Sequence, residues 1–120
     1  MKDFHVGRLF DFYGEILTEK QRDVFDLYYN ADLSLAEISE HARITRQGVR
    51  DSIKRGEEVL CQMEEKLGLM AQFDRRAQAS EEILSLCDKL GEILLYTSYR
   101  SATEPLLERI RELASQEAQD

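Results

Sequence analysis

Ser34-Leu35-Ala36-Glu37-Ile38-Ser39-Glu40-His41-Ala42-Arg43-Ile44-Thr45-Arg46-Gln47-Gly48-Val49-Arg50 is the stretch that decides the fold. Its first four residues have the form of a capping box, in which the serine oxygen accepts from the third backbone N–H and the glutamate reaches back to the cap. Leu35, Ile38 and Ala42 then supply the apolar stripe of a short helix, His41-Ala42-Arg43-Ile44 form a turn, and Thr45 is suited to cap a helix beginning at Arg46. Two capped helices on either side of a tight turn predict a helix-turn-helix.

Upstream, Thr18-Glu19-Lys20-Gln21 repeats the capping box, and Val24, Phe25, Leu27 and Tyr28 follow as a buried stripe that Asn30-Ala31-Asp32 ends. Before it, Phe4, Leu9, Tyr13 and Ile16 fall near helical spacing and predict a first helix ending around Gly14. Downstream, Val49, Ile53, Gly56, Leu60, Met63 and Leu67 alternate by four and three residues, the spacing of a coiled-coil seam. They predict one long linking helix, closed by Gly68 in the left-handed conformation with Leu69 packing back on the last turn. The seam packs either on the chain's own C-terminal helices or on a second copy.

Beyond it, Leu69, Met70 and Phe73 continue helically, and Ser80-Glu81-Glu82 reads as a new helix start before Ile83, Cys87, Leu90, Gly91 and Leu94. Tyr96 to Thr103 reads as a loop, Pro105 as the first position of a last helix carrying Leu106, Ile110 and Leu113, and Ser115 to Asp120 as a frayed tail. The expected architecture is all-α. A helix-turn-helix lobe occupies residues 1–60 and a C-terminal helical packing and dimerisation lobe residues 61–120, the two forming one folding unit.

Composition sets the outer limits. The chain has 120 residues, 42% of them hydrophobic, enough for one conventional core. The apolar run Ile93-Leu94-Leu95-Tyr96 is far short of the ~20 residues that cross a bilayer, so no membrane insertion is expected. Met1-Lys2-Asp3-Phe4-His5 has none of the features of a secretion signal, and a cytoplasmic location is the default. Cys61 and Cys87 are isolated thiols read as small buried apolar residues, and His5 and His41 are equally isolated, so neither a metal nor a cofactor is expected. The acidic pairs Glu57-Glu58, Glu64-Glu65 and Glu81-Glu82 are helix neighbours about 100° apart and read as solvated faces. With no nucleophile and base, no carboxylates converging on a cleft and no phosphate-binding glycine loop, an enzyme is not expected.

The net charge of −8 argues against nucleic acid, whose phosphates repel an acidic protein. The opposition is weaker in the first half. Residues 1–60 carry nine basic against twelve acidic side chains, and residues 61–120 carry seven against twelve. The second helix of a helix-turn-helix can present its first turns to base edges in the major groove. Here Arg46, Gln47, Arg50 and Lys54 lie within about one 100° arc, apart from the inward arc of Val49, Ile53 and Gly56. Arginine and glutamine suit guanine and adenine edges, whereas Arg43, Lys54 and Arg55 suit phosphates, with Thr45 capping the helix and Asp51 the discordant neighbour. The bland alternative is an amphipathic helix with solvated charges, since helix-turn-helices also serve as docking or packing units.

The segment Leu17-Thr18-Glu19-Lys20-Gln21-Arg22, with Ser34 to Ser39 and Thr45 to Arg50, resembles a sigma-factor region-four helix-turn-helix over about residues 17–60. About 16 residues precede the motif, so a complete sigma factor is not expected. The whole chain, including Phe10-Asp11-Phe12-Tyr13-Gly14 and Asp26 to Ser34, resembles the YlxM family of small helix-turn-helix proteins of Gram-positive bacteria and mollicutes. That resemblance implies a regulatory part in co-translational protein targeting, through the RNA of the signal recognition particle or its GTPase. One departure stands out: the turn position often filled by glycine is Arg43. Two readings follow. A homodimeric regulator binds DNA or the particle RNA through this helix, or an acidic protein contacts the GTPase without touching a groove.

Overall fold

The structure is a computed structural model and describes residues 2–119, with the side chains of residues 117–119 outside the description. Among the described residues all regular structure is helical. The helices are α1 (Phe4–Tyr13), α2 (Glu19–Phe25), α3 (Leu35–Ala42), α4 (Arg46–Leu67), α5 (Leu69–Leu94) and α6 (Arg100–Gln119). A 3₁₀ turn, Gly14–Ile16, follows α1, and a π turn, Asp26–Asn30, extends α2. The chain divides into two compact units, Met1–Met70 and Ala71–Asp120. None of the described helices is long and apolar enough to cross a membrane.

The first unit is organised by its caps. Thr18 and Gln21 make a complete capping box at α2, Ser34 and Glu37 make another at α3, and the Thr45 side chain accepts from Gly48 N–H at α4. Each cap satisfies backbone donors that a helix start leaves without partners. The α4 seam faces α1, α2 and α3, and Val49, Ile53, Gly56 and Leu60 are buried there. The seam is therefore covered from within the unit. Met63 is half-buried and Leu67 exposed, so the seam loses its cover toward the helix end.

Phe25 is the centre of this core. It is fully buried, with ring centroids 5.3 Å from Phe10 and 5.4 Å from Tyr29, and it occupies the hollow left by Gly56. On α1 the buried residues are Val6, Leu9, Phe10 and Tyr13, while Phe4 and Ile16, placed on the same stripe by spacing, are exposed. Gly68 ends α4 in the left-handed conformation as expected. Leu69, however, is exposed rather than packed back. Its N–H donates to the Tyr13 hydroxyl, which itself donates to Glu64 Oε1, and Glu64 also accepts from Met70 N–H.

The second unit is an antiparallel helical hairpin in which Cys87, Gly91 and Ser80 of α5 pack against Leu107, Arg111 and Ala114 of α6. Three expectations are corrected here. Ser80 does not start a helix; it is buried in the middle of a continuous α5. Pro105 does not open α6, which begins at Arg100 after Thr97 Oγ1 accepts from Tyr99 N–H, so the 96–103 loop is shortened and the proline sits within the helix. The segment from Ser115 continues α6 to Gln119, and Asp120 lies outside the described residues. Of the two thiols, Cys87 is buried as expected and Cys61 is exposed, because it lies off the α4 seam.

Candidate nucleic-acid interface

The turn between α3 and α4 is held by one residue, Ser39. Ser39 C=O accepts from Arg43 N–H and Ile44 N–H, and the Ser39 hydroxyl donates to Ile44 C=O, which closes the turn from both sides. Arg43, at its apex, has φ 59° and ψ 40°, the left-handed region that costs a non-glycine residue about 1–2 kcal/mol. A side chain there is strained, and the side chain present is a cation pointing to solvent. Half-buried Ile44 then anchors the start of α4 on the core.

On α4, Arg46, Arg50 and Lys54 follow one another at four-residue intervals, and Gln47 lies beside them; all four are exposed. Gln47 Nε2 donates to Asp51 Oδ1 at 3.0 Å, so the carboxylate that seemed out of place is held against the glutamine one turn away. Arg55 stands apart from that row. With Ser52 of α4 and Thr18, Lys20 and Gln21 at the start of α2, it lines a shallow notch of about 370 Å³. Lys20 is thus a second cation lining that notch, together with the Asp51 carboxylate, and motif reading overlooked it because 35 residues separate it from Arg55 in the chain.

Five cations elsewhere in the chain are ion-paired, whereas Lys20, Lys66, Arg75 and Lys89 form no ion pair among the described residues. Lys2 pairs with Asp32, Arg22 with Glu15, Arg100 with Glu104, Arg109 with Glu112 and Arg111 with Asp88. Among the described residues, Arg43, Arg46, Arg50, Lys54 and Arg55 form no ion pair. Residues 43–55 hold five cations against the single carboxylate Asp51, so an acidic chain presents a locally basic helix. Among the described residues no three or more His, Cys, Asp or Glu side chains are grouped to hold a metal ion.

A short capped α3, a tight turn with a left-handed apex, and a longer α4 with one buried and one charged face define a helix-turn-helix protein. The chain belongs to the UPF0122 family, described as "Putative helix-turn-helix protein, YlxM / p13 like", which it matches over residues 1–94, from α1 through α5. It is 46% identical over 89 residues to a UPF0122 protein of Desulforamulus reducens, covering 73% of this chain and 76% of that one. A UPF0122 protein of Acetivibrio thermocellus is 51% identical over 83 residues, covering 69% and 71%. One from Thermoanaerobacter sp. is 42% identical over 106 residues, covering 88% and 85%.

Proposed function

We propose that this protein is a homodimeric, nucleic-acid-binding regulator of co-translational targeting, with α4 as the reading helix. Arg46, Gln47 and Arg50 approach base edges, while Arg43, Lys54 and Arg55 grip phosphates and Thr45 keeps the helix start rigid. The observation that carries this reading is the row of exposed, unpaired cations on an otherwise acidic chain, together with the strained arginine at the turn. Leaving such charges unneutralised in the free protein costs little in water and lets each replace a counterion when phosphate is bound. The pathway comes from the resemblance to the YlxM family, and the nucleic acid is DNA or the RNA of the signal recognition particle.

A second reading has its own support in the net charge of −8: the protein contacts the particle's GTPase and touches no groove. Titrating the purified protein against labelled duplex DNA, particle RNA and the GTPase, at low and moderate salt, separates the two. Salt-dependent binding to either nucleic acid is the expected outcome, with a log–log slope near −3.6 on duplex DNA for about four neutralised phosphates. Binding to the GTPase alone would overturn the first reading in favour of the second.

A further inference from the structure

The α5/α6 hairpin leaves a large apolar face uncovered. On α5, Ala79, Ile83, Leu86, Leu90 and Ile93 follow at intervals of four, three, four and three, a row distinct from the Ser80, Cys87 and Gly91 row that meets α6. On α6, Leu106, Ile110 and Leu113 repeat the pattern beside the buried Leu107 and Ala114. The two rows share one side of the hairpin, because Ala79, Ile83, Ile110 and Leu113 line a common groove. From Ile83 through Leu113 the large residues of these rows are between 39% and 70% exposed.

We infer that this face binds the same face of a second copy, forming an antiparallel four-helix bundle with its two-fold axis at Leu86. Heptad spacing is the surface that takes another helix by knobs-into-holes packing. The exposed apolar area is on the order of 700 Å² per copy, above the largest patch of an ordinary monomer and close to the ~800 Å² each partner buries in a standard interface. The register follows from the residues. A two-fold at Leu86 sets Ala79 opposite Ile93, Ile83 opposite Leu90 and Leu86 opposite itself, small against large at the ends.

Two further features fit that same axis. Inside one hairpin Cys87 lies level with Arg111 and Gly91 with Leu107, so the level of Leu86 on α6 falls between Ile110 and Leu113. The axis that matches the α5 rows therefore also sets Ile110 of one copy against Leu113 of the other. Glu82 and Lys89, both exposed and without an ion pair among the described residues, flank the row and come opposite each other across the axis, twice by symmetry. The pairing is self-complementary in shape and in charge.

This interface rests on the homodimer proposed above and not on nucleic-acid binding, so it is tested on the full-length chain alone by sedimentation equilibrium. The wild-type chain is expected to be a dimer. Leu86→Glu, which sets two carboxylates face to face on the axis, should raise the dimer Kd at least ~100-fold with the far-UV circular dichroism unchanged. Glu82→Lys should raise it roughly 3–10-fold, and Glu82→Lys combined with Lys89→Glu should return it to within about 2-fold of wild type. A wild-type monomer would overturn both the homodimer and the interface. A wild-type dimer indifferent to Leu86→Glu would overturn the interface alone, and a charge exchange that fails to restore association would overturn the register.

Discussion

Replacing Gly56 by alanine adds one methyl group where the core has no room for it. A Cβ at Gly56 would lie 2.3 Å from Phe25 Cε2 and 2.8 Å from Cζ, against 3.4 Å or more for an ordinary contact. The ring must retreat by about 1 Å, yet Phe25 is fully buried and wedged between Phe10 and Tyr29. Overpacking of this kind costs about 1–3 kcal/mol, and a rigid aromatic ring places it near the upper end. Exchanging glycine for alanine within a helix returns about 1 kcal/mol, leaving a net loss of about 1–2 kcal/mol. For a unit of this size that lowers Tm by roughly 5–15 °C.

Gly91→Ala supplies the contrast with identical chemistry. Its Cβ would meet Arg111 Nη2 at 3.5 Å and Leu107 Cδ1 at 3.8 Å, ordinary contacts, so the helix gain of about 0.5–1 kcal/mol should survive and stabilise the second unit. Urea denaturation followed by near-ultraviolet circular dichroism, which reports the Phe10, Phe25 and Tyr29 cluster, reads the Gly56 change; the far-ultraviolet signal reads both. A Gly56→Ala protein as stable as wild type would refute the claim that Phe25 fills the space under α4.

Three other perturbations bear on the turn, the cap and the core. Arg43→Gly removes the left-handed strain and, after the added freedom of the unfolded chain, should stabilise the first unit by up to about 1 kcal/mol in urea melts while weakening nucleic-acid binding. Thr45→Ala deletes the cap on Gly48 N–H and should cost about 1 kcal/mol, with faster amide exchange confined to the first turn of α4. The Tyr29 phenol is held well above the usual tyrosine range, first by burial and then by the charge and hydrogen bond of Glu57. Above pH 10 the unfolded chain therefore holds fewer protons at this site than the folded one, and stability falls as pH rises; Tyr29→Phe should remove part of that alkaline loss in Tm.

Much of the first unit was legible because it is written in local signals. The boxes at Thr18 and Ser34, the cap at Thr45 and the stop at Gly68 are each decided within a few residues, and the structure has them all. The same local logic failed at Ser80 and Pro105. Serine is a good cap but also small enough to pack at a close helix contact, and proline is ordinarily read as a first-turn residue, whereas the turn at Thr97 starts α6 five residues before Pro105. The seam of α4 was visible, but not its cover, since periodicity says that a face is buried and not which helix buries it.

The candidate interface divides similarly. The arc of Arg46, Gln47, Arg50 and Lys54 follows from helical geometry, and the oddity of Arg43 from the glycine it stands in for. That these cations lack ion pairs depends on which carboxylates the fold brings near, and that Lys20 and Arg55 line one notch depends on how α2 meets α4. Neither has a signature in the linear chain. The exposed heptads of α5 and α6 were present in the spacing, but telling the covered row from the open one required the hairpin itself.

The most direct test of the central claim is the salt dependence of nucleic-acid binding by Arg50→Ala beside wild type. Arg50 is exposed, unpaired and central in the row, so its loss should leave the urea midpoint in place. The expected result is weaker binding by about 1–3 kcal/mol, together with relaxed sequence preference if Arg50 reads a base or a salt slope shallower by about 1 if it grips a phosphate. Unchanged affinity and unchanged slope would contradict the assignment of α4 as the reading helix.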